Sequence, residues 1–289
     1  MLLKKITAGA AAVLTAVALT ACGGDTGTGE SPAPSVAETA FEAGTTMAKL
    51  NEAQKITIGT KFDQPLFGLM GPDGTPVGFD VEIGKLVAAG LGIPADKIEW
   101  VETVSQNREP FIQNGQVDIV VATYTINDTR KEVIDFAGPY YIAGQSFLVA
   151  QGNPAGITSP QDLGDNVICT VTGSTSEKNI KEFTDNVITV DKYSDCLEPI
   201  RNGTAQALTT DNVILAGLVD QNGDEFEVTP DTFTEEPYGI GLKLGDDEFR
   251  GFINDTLQAS FDDGSWAAAW EATAGTVLPT PEPPTIDRY

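Results

Sequence analysis

A chain of 289 residues with 42 acidic against 17 basic side chains has a formal net charge of -25, which argues against nucleic acid or anionic lipid as a partner. Histidine is absent, and with it the commonest general base and metal ligand, which disfavours His-dependent hydrolases and most zinc sites. Hydrophobic content of 41% with 20% charged residues is that of a globular protein, and the length fits about two domains.

The N-terminus reads as an address. Lys4 and Lys5 precede an apolar, Ala-rich run over 6–19 that is too short and weakly flanked for a spanning helix, so 1–21 is expected to be a signal peptide. Leu19-Thr20-Ala21-Cys22 resembles a bacterial lipobox, in which Cys22 is acylated and becomes the mature N-terminus. Two acyl chains suffice for stable anchoring. Cleavage near Ala21 with an incidental cysteine is the alternative. Residues 22–40 are Gly/Thr/Ser/Pro-rich, the composition of a flexible tether.

Residues 55–60 then alternate as a short strand ending at Lys61-Phe62-Asp63. Residues 67–72 and 77–79 read as a hairpin around Pro72-Asp73-Gly74. Apolar side chains at 81, 83, 86, 87 and 91 give 80–91 a helical period. A strand at 99–104, a helix at 108–114 stopped by Gly115 and a buried strand at 118–123 follow. Apolar strands at 143–150 and 237–244 bracket a second block: strand 166–171, helix from 174, strand 187–190, helix 194–202, strand 205–209 and helix 211–219. Residues 246–274 give two helices, and the Pro-rich segment 279–289 is expected to hang loose. One α/β unit interrupted by another, with two strands crossing between them, implies open and mainly parallel sheets with a ligand site outside the strand carboxyl ends. Cys169 ends one strand and Cys196 opens a helix; in an exported chain such a leftover pair predicts a disulfide, with a metal pair or free thiols as alternatives. Two cysteines without histidine make a poor zinc site.

The densest chemistry lies in 105–141, where Arg108 and Arg130 each sit among small hydroxyl and amide residues. A guanidinium pairs bidentately with a carboxylate, so two forks flanking the apolar run 117–122 suit both ends of a small dicarboxylate. Arg130, with the Thr125 hydroxyl and nearby backbone N–H, suits one carboxylate; a salt bridge to Glu132 or Asp135 is the plainer reading. Gly173-Ser174-Thr175-Ser176 follows a strand and opens a helix, which makes it either an anion site or a simple helix cap.

The run Gly78-Phe-Asp-Val-Glu-Ile-Gly-Lys-Leu-Val-Ala-Ala-Gly-Leu91 resembles the signature of family-3 extracellular solute-binding proteins, the polar amino-acid receptors of ABC importers. The likeness runs over 56–270, and Thr123-x-Thr125-x4-Arg130, Asp135-Phe136 and Pro139-Tyr140-Tyr141 match the ligand-binding segment of that family. Ser105-Gln-Asn-Arg-x-Pro, Gln113-Asn-Gly, Cys169, Gly173-Ser-Thr, Cys196 and Tyr238-Gly-Ile-Gly-Leu-Lys look most like its actinobacterial glutamate-binding lipoproteins.

The resemblance implies an α/β, two-lobe periplasmic-binding-protein fold of type II. Lobe one is expected at 41–143 and 240–278, with lobe two inserted at 144–239 together with two crossing hinge strands, and a tail at 279–289. It places Arg130, Thr125, Ser174 and Thr175 on an α-carboxylate, and Asp211 with the Thr123 carbonyl on an α-ammonium. Asp211 as a mere N-cap of helix 212–219 is the alternative. Lys61, Ser105 and Arg108 are expected around a side-chain carboxylate, where an amide ligand would leave buried cations unpaired at about 2–5 kcal/mol. Phe62, with Tyr141 or Phe67, is expected either to pack the ligand methylenes or to belong to lobe core. The implied function is a monomeric receptor, lipid-anchored through Cys22 on the extracellular face of the cell membrane, that captures L-glutamate or aspartate for an ABC permease and ATPase. No cofactor, metal or catalysis is implied. Rival readings are another polar amino acid such as glutamine or asparagine, a dehydratase-like enzyme on the same fold, and a sensor domain.

Overall fold

A computed structural model describes residues 40–289, so the expectations for the signal peptide, for Cys22 and for the tether up to 39 lie outside the described residues. From the N-terminal side come α1 (Thr46–Ala53), β1 (Ile56–Thr60), β2 (Asp63–Gln64), β3 (Gly68–Met70), β4 (Pro76–Val77), α2 (Phe79–Gly90), β5 (Ile98–Glu102), α3 (Arg108–Gln113), β6 (Ile119–Val120), α4 (Asp128–Lys131) and β7 (Asp135–Ala143). The second block holds β8 (Gln145–Ala150), β9 (Ile168–Val171), α5 (Thr175–Ile180), β10 (Val187–Val190), α6 (Leu197–Arg201), β11 (Ala207–Asp211), α7 (Asn212–Asn222) and β12 (Phe226–Val228). The chain finishes with β13 (Glu236–Leu242), α8 (Asp247–Asp263) and α9 (Ser265–Ala272).

These strands form two five-stranded sheets, one per lobe. Sheet one runs β5-β1-β6-β13-β7, with β1 parallel to β5 and β6, and β13 antiparallel to β6 and β7. Sheet two runs β10-β9-β11-β8-β12, with β9 parallel to β10 and β11, and β8 antiparallel to β11 and β12. A small ribbon, β2-β3-β4, extends lobe one. Both faces of the central strands are buried, as parallel strands covered by helices require. The two-lobe α/β fold is therefore the one expected. Strand β8 lies wholly in sheet two and β13 in sheet one, so the crossings themselves are Gly144, between β7 and β8, and the return through 229–235. Gly144 has no room for a side chain, because a Cβ there would meet Thr232 and the Thr234 carbonyl.

Four sequence readings change. Strand 118–123 is only β6, since the Thr123 N–H leaves the ladder to bond Asp80 and the residue takes a φ of 44°. The nine-residue strand β7 escapes the pattern because Gly138-Pro139 interrupts it, yet it pairs with β13 along most of its length. The helix expected at 194–202 is a 3₁₀ turn (Tyr193–Cys196) followed by α6. The tail does not hang loose. The Asp287 N–H donates to the Gly138 carbonyl at 2.8 Å, the Tyr289 hydroxyl accepts from the Phe136 N–H at 2.9 Å, and Ile286 is buried. Lys131 and Arg250 both lie over the Tyr289 ring.

Cys169 and Cys196 are disulfide-bonded with Cα atoms 5.7 Å apart, tying β9 to the 193–196 turn. Closing a loop of 27 residues contributes about 3–4 kcal/mol in the chain-entropy account. The largest aromatic cluster joins Phe67, Phe79, Tyr140, Tyr141, Tyr238, Phe261, Trp266 and Trp270.

Candidate functional site

The parallel strands of lobe one end at Lys61, at the 105–107 turn and at the bend 121–125, which brings their polar residues to one edge. Lys61 is 3% exposed and its Nζ donates to Ser105 Oγ at 2.9 Å. Arg108, also 3% exposed, donates from Nε to the Ser105 carbonyl at 3.3 Å and from Nη1 to the Ala122 carbonyl at 3.1 Å. The Thr123 carbonyl lies 3.5 Å from the same Nη1, and the Thr123 hydroxyl donates to Gln64 at 3.0 Å. Among the described residues, no carboxylate lies within ion-pair distance of Lys61 or Arg108. Burial, then the charge of Arg108, pushes the Lys61 ammonium down to about 7.

Arg130 stands in a different setting. The short helix α4 is capped by Asn127, whose side chain accepts the Arg130 N–H at 2.9 Å and fixes where the guanidinium starts. Its Nε donates to Glu109 at 3.0 Å, its Nη1 to the Thr125 carbonyl at 2.7 Å, and its Nη2 to the Gly173 carbonyl of lobe two at 3.4 Å. The expected alternative partners do not take it: Asp135 pairs with Arg250 at 3.4 Å. Burial and the neighbouring Arg108 charge pull the Arg130 guanidinium below its ordinary range. A residue the sequence reading missed, Tyr124, lies against both guanidinia, its ring centroid 4.1 Å from Arg108 and 4.9 Å from Arg130. The signal was available, since Tyr124 lies between the two Thr of the matched motif.

Lobe two faces this edge with the start of α5 and with Asp211. Thr125 Oγ1 and Thr175 Oγ1 approach to 3.4 Å across the cleft. Ser174 behaves otherwise than its neighbour. Its hydroxyl donates to the Val171 carbonyl at 2.7 Å and accepts the Glu177 N–H at 2.9 Å, so the side chain serves as the helix cap. Gly173, with a φ of 76°, sits so near the Gln106 backbone of lobe one that a Cβ would come within 3.0 Å. Beside Arg130, Glu109, Gly173, Thr175 and Lys178 line a cleft of about 410 Å3.

Asp211 precedes α7 but makes no side-chain cap for it. Instead, Oδ2 accepts the Tyr238 hydroxyl at 2.6 Å, while the buried Oδ1 has no partner. Burial, then the charge of Glu236, pushes this carboxyl up to about 7. A second buried carboxylate, Asp80, accepts from Tyr140 at 2.6 Å and from the Thr123 N–H at 2.8 Å, and burial pushes it too up to about 7. Asp80 belongs to the 78–91 signature and holds the Thr123 bend, a role not legible from its place at a helix start. Tyr141 stacks on Trp270 at 4.9 Å and so belongs to the aromatic cluster, although the Asp211 charge reaches its hydroxyl. Phe67 is fully buried in the same cluster, whereas Phe62 is half-buried and makes no ring pair among the described residues.

The structure thus gathers Lys61, Ser105, Arg108 and Thr123 at one end, Thr125, Arg130 and Thr175 at the other, and a free carboxylate oxygen on Asp211. Cations held in low dielectric are pushed to lose protons and carboxyls to gain them. An arrangement with both tendencies suits a small zwitterion.

Comparison with known proteins agrees in kind. Residues 56–272 match the model of the bacterial extracellular solute-binding proteins, family 3. The glutamate-binding protein GluB of Corynebacterium efficiens is 37% identical over 278 residues, covering 92% of this chain and 89% of that protein. The ABC transporter glutamine-binding protein GlnH of Bacillus subtilis is also 37% identical, over 254 residues, covering 86% and 89%. Among solved structures, an ancestral arginine-binding protein bound to glutamine superposes with a TM-score of 0.71 at 32% identity, covering 75% of this chain and 96% of that one. Sequence, fold and cleft lead to one statement: the chain belongs to family 3 of the bacterial extracellular solute-binding proteins.

Proposed function

We propose that this protein is the amino-acid receptor of an ABC importer and that its ligand is L-glutamate. The observation that carries the choice of ligand is the pair Lys61 and Arg108, both buried and without a carboxylate partner among the described residues. Leaving two cations desolvated is costly, and a ligand carboxylate relieves that cost where an amide does not. The names of the relatives do not decide, because a glutamate-binding and a glutamine-binding protein stand at equal identity.

In this reading the α-carboxylate lies on Arg130, Thr125 and the first turn of α5 at Thr175, with Ser174 acting through its cap. The α-ammonium lies on Asp211 Oδ1 and the Thr123 carbonyl. Lys61, Ser105 and Arg108 take the side-chain carboxylate, and Phe62 and Tyr141 border the methylenes. Both lobes contribute, so binding favours their closed arrangement, which the permease reads. Cys22 anchors the receptor outside the cell membrane through its acyl chains. Catalysis is not part of the reading, and the relatives cited are binding proteins.

Titration calorimetry with glutamate, aspartate, glutamine and asparagine tests the proposal. Glutamate is expected to bind more tightly than glutamine by about 30-fold or more, the lower end of the cost of leaving the buried cations unpaired. Equal or tighter binding of glutamine would overturn the charge argument.

A further inference from the structure

Lobe two presents three consecutive residues to lobe one, and each meets a partner. Lys192 Nζ lies 2.5 Å from Glu102 Oε1, Gln106 Nε2 donates to Asp191 Oδ1 at 3.1 Å, and the Tyr193 N–H donates to Asp63 Oδ2 at 3.1 Å. These pairs adjoin the proposed ligand residues: the Tyr193 hydroxyl reaches Ser174, and the Asp63 charge reaches Lys61. The three residues lead into the 3₁₀ turn 193–196, whose N-cap residue Lys192 supplies no side-chain cap to it. A helical start leaves its first N–H groups without internal partners, and the residue just before it ordinarily supplies an oxygen. Here the oxygen comes from the other lobe, since the Asp63 carboxylate faces the N–H groups of both Tyr193 and Ser194.

The surroundings make this turn a firm abutment. Cys196 at its end is bonded to Cys169 in β9, so the turn is tied to sheet two. Nearby, Gly217 of α7 sits so close to the Pro65 carbonyl that a Cβ could not be accommodated without a shift. Asp63 also lies two residues beyond Lys61, so one strand end carries both groups.

We propose that Asp63 is a closure latch: its carboxylate caps the lobe-two turn in trans only when the lobes are together, and so governs how fast a bound ligand leaves. This rests on the reading that the lobes close over an amino acid. When they part, Tyr193 and Ser194 lose their acceptor and Asp63 loses two donors. A contact present in one state alone shifts the equilibrium toward that state, whichever amino acid is bound. The Lys192–Glu102 pair flanks the cap at the exposed rim and adds a smaller, salt-dependent increment.

The test is stopped-flow association and release of L-glutamate and L-glutamine on the whole protein, with a lobe-to-lobe fluorescence distance recorded alongside. Asp63→Ala should speed release of both ligands by about 3- to 30-fold, the span of helix-cap contributions, with association unchanged. Asp63→Asn, which keeps a neutral oxygen at the same place, should recover part of the slow release. Glu102→Lys and Lys192→Glu should each speed release modestly, and their combination should restore it. Wild-type release from Asp63→Ala, or a change confined to association, overturns the latch while leaving the receptor reading intact. Failure of the wild-type lobes to approach with either amino acid overturns both.

Discussion

The two cationic ends of the cleft differ in what already satisfies them. Arg130 is held by the Glu109 carboxylate and by backbone carbonyls at both its Nη atoms. Arg108 and Lys61 have carbonyls, a hydroxyl and the face of Tyr124, but no carboxylate among the described residues. A balanced guanidinium keeps its place whether or not a ligand is present, so it can hold the group that all amino acids share. An unbalanced pair would depend on a ligand for its counter-charge, so in the proposed reading it selects by the ligand side chain. In that reading one end gives affinity and the other gives choice.

The strongest way to break that comparison is Arg130→Ala. It should weaken glutamate and glutamine alike, by about 2–5 kcal/mol, because the α-carboxylate is left without its charge-assisted fork and Glu109 without its partner. Calorimetry reads the result, and a loss confined to glutamate would reverse the roles of the two ends. Lys61→Met should cost glutamate about 1.5–3 kcal/mol while leaving glutamine unchanged or tighter, since a neutral side chain of similar length removes one unpaired charge. Equal losses for both ligands would make Lys61 a structural residue.

A smaller effect separates the ends by pH. Lys61, pushed down to about 7 in the free protein, must be protonated to attract a carboxylate. Glutamate affinity should therefore fall as the pH rises above about 7, by at most about tenfold per unit, with a proton taken up on binding. Glutamine should lack this alkaline limb, and Lys61→Met should abolish it for glutamate. Below about 7 both ligands should weaken together, because Asp211 gains a proton and ceases to attract the α-ammonium. Affinities measured at several pH values would show whether the two limbs separate in this way.

Much of the cleft was legible because strand ends in an α/β fold converge. Lys61 and Arg108 come after strands and Asp211 ends one, so the pattern put them near strand ends, while the family resemblance implied their roles. Their immediate partners were not legible. Glu109 stands 21 positions from Arg130, and Asp63 stands 130 from Tyr193, and only the packed lobes bring these pairs together. Ser174 stands at the expected helix start, yet its hydroxyl caps α5 and bonds back to the β9 carbonyl of Val171, which depends on torsion angles rather than residue type. The tail misled for another reason. Its proline-rich composition suppresses any period, while Ile286, the Asp287 N–H and Tyr289 hold it against lobe one.

The central claim is that a side-chain carboxylate completes the Lys61–Arg108 end, and a crystal structure of the protein with L-glutamate tests it most directly. The account predicts the γ-carboxylate about 3 Å from Lys61 Nζ and from an Arg108 nitrogen, with the α-carboxylate on Arg130. A glutamate bound in the reverse sense, or with its γ-carboxylate away from both cations, would contradict it.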